Sequence, residues 1–233
     1  MSSSRSGLHA RAATFAVVAA GAACTGGCVS GEDPPTPLAE PGFSVVEDYP
    51  DGPYGVGIGD VISPFVFRGY VRPEVDKGEA HRVIFGLPDF YSGEEALFPP
   101  GSPFGAGNPK PVALLVNVGA VWCTPCQYEA SKILPGEHAK YAPRGGEFLM
   151  NLAQSAALGT PATWTDLDNW IKAYDVVYPA VLDDEGQLGA LFDPNSYPAN
   201  VIIDTRTMQI VESVSGVPQE TFWTKFEALL GPP

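Results

Sequence analysis

The stretch Val116-Asn117-Val118-Gly119-Ala120-Val121-Trp122-Cys123-Thr124-Pro125-Cys126 decides how the rest of this chain is read. It closes an apolar run that begins at Pro111, and it sets two cysteines two residues apart just before a helix-like segment, Gln127 to Tyr141. The pattern predicts a buried central strand, a short turn and a helix opened by the Cys pair. A helix N-terminus presents unpaired backbone N–H groups and a partial positive charge. A thiolate placed there is stabilised, so its pKa falls below the free value of roughly 8.5. Cys123 is expected as the exposed nucleophile and Cys126, one turn in, as the resolving thiol. The spacing permits a disulfide between them, and the chemistry it suggests is thiol–disulfide exchange.

Other uses of such a pair set competing expectations. A structural zinc ion needs four ligands, but the remaining cysteines, Cys24 and Cys28, lie near the N-terminus, and beyond residue 28 the histidines are His81 and His138. A permanent structural disulfide would close a very short loop and stabilise little. A peroxidatic cysteine would need Thr and Pro shortly before it, where this chain has Gly119-Ala120-Val121-Trp122. Soft Cu(I) accepts thiolates, so a thiol-based metal- or partner-binding protein stays open as an alternative, although no Met or His cluster accompanies the pair.

The 233 residues carry 27 acidic and 13 basic side chains, a net charge of −14, with 24 Pro and 26 Gly. Phosphate recognition needs clustered Lys and Arg, so a nucleic-acid partner is not expected. The N-terminus reads as a secretory signal: Arg5 and Arg11 without acids, then a small apolar run from Ala12 to Ala23, too short to span a bilayer. A cysteine directly after such a run resembles a lipobox, which makes Cys24 or Cys28 the candidate for lipidation. We assign residues 1–28 to this leader, 29–58 to a tether rich in Pro, Gly and acids, and 59–233 to one folded domain. Export places the Cys pair in an oxidising compartment, where it acts as an oxidant or needs a dedicated source of electrons.

Along the domain, Phe65 to Val71 reads as a strand, with His81 to Phe85 its partner. Ser92 to Lys110 reads as a long Pro/Gly loop. Helix Gln127–Tyr141 should kink at Pro135. Glu147–Leu152 is the next strand. Thr163 with Asp166 forms a capping box for a helix whose apolar stripe is Leu167, Trp170, Ile171 and Tyr174. Tyr178–Leu182 is a short strand and Gln187–Phe192 a short helix. Val201–Asp204 and Met208–Val214 flank the turn Thr205-Arg206-Thr207, and Phe222, Phe226, Leu229 and Leu230 line the last helix. Trp164, Trp170 and Trp223 are assigned to packing, and His138 to an exposed, non-catalytic place. The expected fold class is α/β: a mixed central sheet flanked by helices, with an extra N-terminal strand or hairpin region and long Pro/Gly loops.

These residues resemble the thioredoxin superfamily, and within it the exported, membrane-tethered TlpA/ResA-type proteins. The resemblance rests on Val116–Cys126, on Glu129 three residues after the second Cys, and on Tyr197-Pro198-Ala199-Asn200-Val201-Ile202-Ile203-Asp204, which looks like the family's cis-proline loop and following strand. It spans about 170 residues, from near Gly59 to the end. It implies catalytic Cys123 and Cys126, with Trp122, Thr124, Pro125, Tyr197 and Pro198 supporting the site or meeting substrate. A proton relay through Glu129 is the weakest of these assignments. It also implies no cofactor beyond the redox-active disulfide and no metal. The implied partners are exported, disulfide-containing client proteins and a membrane electron donor, with lipid tethering in a bacterial envelope. A disulfide oxidant or isomerase on the same fold is the alternative direction. Gly119 departs from the family's usual Trp and should thin one wall of the site. Asn117 stands where thioredoxin has a buried carboxylate, so a proton acceptor must come from elsewhere. Nothing in the sequence suggests an oligomer, and a monomer is expected.

Overall fold

The computed structural model describes residues 49–93, 95–183, 186–192 and 196–231. The leader with Cys24 and Cys28, and residues 29–48 of the expected tether, lie outside the described residues.

A seven-stranded mixed sheet organises the domain. Strands β1 (Val66–Tyr70) and β2 (Val83–Gly86) form an N-terminal antiparallel pair. The central strands are β3 (Ala113–Ala120), β4 (Gly146–Gln154) and β5 (Ala180–Leu182), mutually parallel, and β6 (Ala199–Asp204) and β7 (Gln209–Ser215) close the other edge as a hairpin. The spatial order is β2-β1-β5-β4-β3-β6-β7, so β3, which carries the Cys pair at its end, lies inside the sheet. Every residue of β3 is buried, which is why its sequence is a continuous apolar run rather than an alternating one.

Alternate side chains of each strand feed two cores. Leu115, Phe148, Met150, Leu152 and Ile202 pack under four helices: α2 (Thr124–Lys132), α3 (Leu134–Tyr141), α4 (Trp164–Tyr174) and α5 (Glu220–Leu229). Leu114, Val116, Val118, Leu149 and Val201 face the other way, toward the short helix α1 (Leu87–Phe90), the 3-10 helix Gln187–Leu191 where a short helix was expected, and Ile62. The described residues of segment Ser92–Lys110 form a loop apart from an isolated bridge between Leu97 and Pro109, and Phe104 packs edge-on against Phe85 and Phe90.

Several expected boundaries shift for identifiable reasons. Pro135 does more than kink a helix: it sits in the first turn of α3, after a break at Ile133, because its ring and missing N–H suit a helix start. β4 runs two residues beyond Leu152 to Gln154, held by its pairing with Ala120. His81 belongs to a turn, and the partner strand begins at Val83. Residues at the end of the expected tether bond to the domain: the Tyr49 hydroxyl donates to Ile62 O (2.8 Å) and its ring meets Tyr91 edge-on at 5.8 Å, and Gly55 N donates to Val61 O (3.0 Å). His138 is not exposed. Its side chain is 14% accessible, bonded to Glu147 (3.1 Å) and packed on Phe148 and Tyr178. The three tryptophans pack as expected, Trp164 beneath the Arg82 guanidinium and against Tyr70.

Candidate active site

β3 ends at Ala120, and the chain turns through Val121 and Trp122 into α2. Cys123 is the N-cap of that helix, with extended backbone angles, and Cys126 lies in its first turn. The two sulfurs are joined in a disulfide. Cys126 N donates to Cys123 Sγ at 3.1 Å, and Gln127 N closes the first helical bond on Cys123 O. The sulfur thus occupies the place a Ser or Asp oxygen takes in an ordinary cap. An anion on it meets an N–H donor and the positive end of the helix. Pro125, exposed in the first turn with Thr124, withdraws no hydrogen bond there, since N–H groups at that position have no intrahelical acceptor.

Cys123 is not exposed in this state: both cysteines are 2% accessible. The difference from expectation follows from packing, because Val121, Trp122 and Tyr197 lie against the same core cluster as the disulfide. Cys126 rests on Gly119, where an added Cβ would stand 3.5 Å from Cys126 Cβ and 3.6 Å from Met150 Cε. Position 119 therefore faces the underside of the disulfide. A Cβ at this position would lie in ordinary contact with Cys126 and Met150.

Glu129 differs most from a solvated helix residue. It is 1% accessible, one turn beyond Cys126. Asn117 Nδ2 donates to Glu129 Oε2 (2.8 Å), and Asn200 Nδ2 to Glu129 Oε1 (2.9 Å); Asn117 Nδ2 also reaches Asn200 Oδ1 (2.9 Å). Asn117 and Asn200 are directly paired across β3 and β6. Burial pushes the Glu129 carboxyl up to about 7, against the pull of the two amide donors, which favour the charged form. Tyr178, buried nearby, has its hydroxyl pushed upward by burial and, secondarily, by the charge of Glu129. The site thus holds a carboxyl able to change protonation near neutral pH, on the buried face of α2 that also carries Cys126.

The Tyr197–Pro198 bond is cis, and Ala199 pairs with Val118, so this loop emerges at the same end of the sheet as the disulfide. The rings of Trp122 and Tyr197 meet edge-on at 5.7 Å. Behind Tyr197, Phe192 packs at 5.5 Å, and a cavity of about 340 Å³ opens among Val118, Ala153, Gln154 and Leu188. Trp122 and Tyr197 thus meet at this end of the sheet, with Thr124 and Pro125 in the first turn of α2, Pro198 in the loop after Tyr197 and Glu129 one turn beyond Cys126. Among the described residues, no group of three or more His, Cys, Asp or Glu side chains is placed to share a metal ion.

Two residues of this site are absent from the sequence-based set. Asn200 had a visible signal, a polar residue inside the buried run Ala199–Ile203 that mirrors Asn117 in its own run. Gln154, which bonds the Trp122 indole, had none, because it stands 32 residues away and meets Trp122 only through the sheet.

No protein-family model matches the sequence, and no curated protein matches it. Solved structures do. One from Chlorobium tepidum, described as thiol:disulfide interchange protein DsbE, shares 17% identity at a TM-score of 0.53, over 76% of this chain and 100% of that one. StoA from Bacillus subtilis shares 15% identity at 0.45, over 70% and 97%. A secreted thiol-disulfide isomerase from Corynebacterium glutamicum shares 13% at 0.49, over 72% and 83%. The first of these carries the structural likeness. The chain shares the fold of that structure, a thioredoxin-like α/β fold, with the Cys123–Cys126 pair at the start of α2.

Proposed function

We propose that this chain is an exported thiol–disulfide oxidoreductase that reduces disulfides of client proteins. The observation that carries the reading is Cys123 as the N-cap of α2, its sulfur accepting the Cys126 N–H, beside a cis Tyr197–Pro198 loop. In the reduced enzyme the Cys123 thiolate attacks one sulfur of a client disulfide. A mixed disulfide forms, and the client's other sulfur leaves as a thiolate. Cys126, losing its proton, then attacks Cys123 Sγ, and the second client sulfur leaves. The client gains two electrons and, with protons, two thiols; the enzyme is left as the Cys123–Cys126 disulfide. Glu129 is the proton acceptor for Cys126. Asn117 cannot take that proton, and the Glu129 carboxyl, near 7, exchanges one readily at neutral pH.

Trp122, Thr124, Pro125, Tyr197 and Pro198 border the client. The backbone of the Tyr197–Pro198 loop offers an extended client segment a pairing edge. A membrane donor restores the dithiol. The signal-like leader and its Cys24 or Cys28 support export and a lipid tether in a bacterial envelope. The reading is of a monomer without a metal or bound cofactor.

The deciding experiment equilibrates the Cys123–Cys126 pair with defined dithiol buffers. A potential near or below about −270 mV supports a reductase, whereas one near about −120 mV makes the protein a disulfide donor and overturns the direction. Failure to cycle overturns the enzyme altogether.

A further inference from the structure

At its C-terminal end β4 departs from regular pairing with β3. Gly119 faces Leu152, but Ala120 faces Gln154, so an irregularity at the last step carries the Gln154 side chain to the Cys loop. Its one amide then serves three segments. Gln154 Oε1 accepts from Trp122 Nε1 (2.9 Å) and from Gly159 N (2.9 Å), and Gln154 Nε2 donates to the Tyr197 hydroxyl (3.4 Å). Its backbone carbonyl accepts from Val121 N (2.9 Å). Trp122 immediately precedes Cys123, and Tyr197 precedes the cis proline. These two rings touch each other edge-on and belong to segments otherwise separate in the chain.

We infer that Gln154 is a positioning residue for client binding, fixing the separation of Trp122 and Tyr197 before a client arrives. The inference rests on the oxidoreductase reading above. Aromatic walls left to rotate must be ordered at the moment of binding, which weakens association; walls held in advance do not carry that cost. Gln154 touches neither sulfur, so it should act on how a polypeptide is held and leave the exchange chemistry alone. A small dithiol, which has no need of the walls, is the internal control.

The test measures turnover of a disulfide-bonded peptide, with dithiothreitol as electron source, in wild type, Gln154→Met and Gln154→Glu. Methionine fills the space and loses all three bonds. Glutamate keeps both acceptor bonds and can accept from the Tyr197 hydroxyl. The expected result is a KM about tenfold higher in Gln154→Met, the scale of one or two lost hydrogen bonds. Its kcat, its exchange equilibrium constant with dithiothreitol and its rate with dithiothreitol alone should stay within about twofold, while Gln154→Glu returns KM toward wild type. An unchanged KM in Gln154→Met overturns the inference. So does a KM rise accompanied by an equal fall in the dithiothreitol rate, which marks a general disturbance of the fold. A wild type that exchanges with dithiothreitol but leaves the peptide intact overturns the client-reductase reading, and this inference with it.

Discussion

Glu129 shows at the scale of one residue how burial and hydrogen bonding oppose each other. Desolvation favours the neutral carboxyl, the two asparagine amides favour the carboxylate, and burial wins. The folded pKa of about 7 lies above the ordinary 4.5. The folded state therefore binds this proton more tightly, and the resulting stabilisation is complete below pH 4.5 and lost as pH rises through 7. Glu129→Gln, a neutral isostere, lacks that dependence. Wild type should lose about 3 kcal/mol relative to Glu129→Gln across this interval, measured by urea unfolding at its two ends; parallel curves would show that Glu129 stays ionised. The same variant should slow release of a client from the mixed disulfide by at least about tenfold at neutral pH, if Glu129 takes the Cys126 proton.

Elements are where sequence reading performs best, because caps and breaks are local. Thr163 accepts from Asp166 N (3.3 Å), and Thr163 N donates to Asp166 Oδ2 (2.9 Å), the reciprocal pair expected from the spacing. Thr163→Ala should cost about 1 kcal/mol, read as a shift in urea midpoint at unchanged slope, with Thr163→Ser close to wild type. A cost below a few tenths would mean that the packing of Leu167, Trp170 and Ile171 holds α4 without its cap. The same locality made the Met208–Val214 arm of the hairpin and the apolar stripe of α5 legible. It failed at the end of β4, where Gln154 is kept in the strand by a partner on another strand.

Across the whole molecule, 27 acids against 13 bases leave a net charge of −14. Such an excess repels itself in the compact state, and salt shortens the range of that repulsion from about 30 Å at 0.01 M to under about 10 Å above 0.15 M. The melting temperature should therefore rise by several degrees, on the order of 1 kcal/mol of stability, between about 0.01 and 0.3 M potassium chloride. A fall on adding salt would show that the ion pairs Arg144–Glu227 and Arg206–Asp204 outweigh the net repulsion.

The Pro198 loop beside the Cys pair was expected only from the family resemblance; by itself the sequence determined the α/β class, the order of most elements and the Cys pair at a helix start. Each of these is written in neighbouring residues: a continuous apolar run, a cap three residues from its partner, a turn between two strands. The tertiary structure alone decided what the pair sits among. Asn117 and Asn200, 83 residues apart, meet because β6 pairs with β3 in one register. Their amides hold Glu129, the weakest of the expected site assignments, as a buried acid. Gln154 reaches Trp122 because one irregular step in the β3–β4 ladder re-aims its side chain. Register is a property of two strands together: it depends on which faces bury best against each other, and no single stretch of the chain contains it.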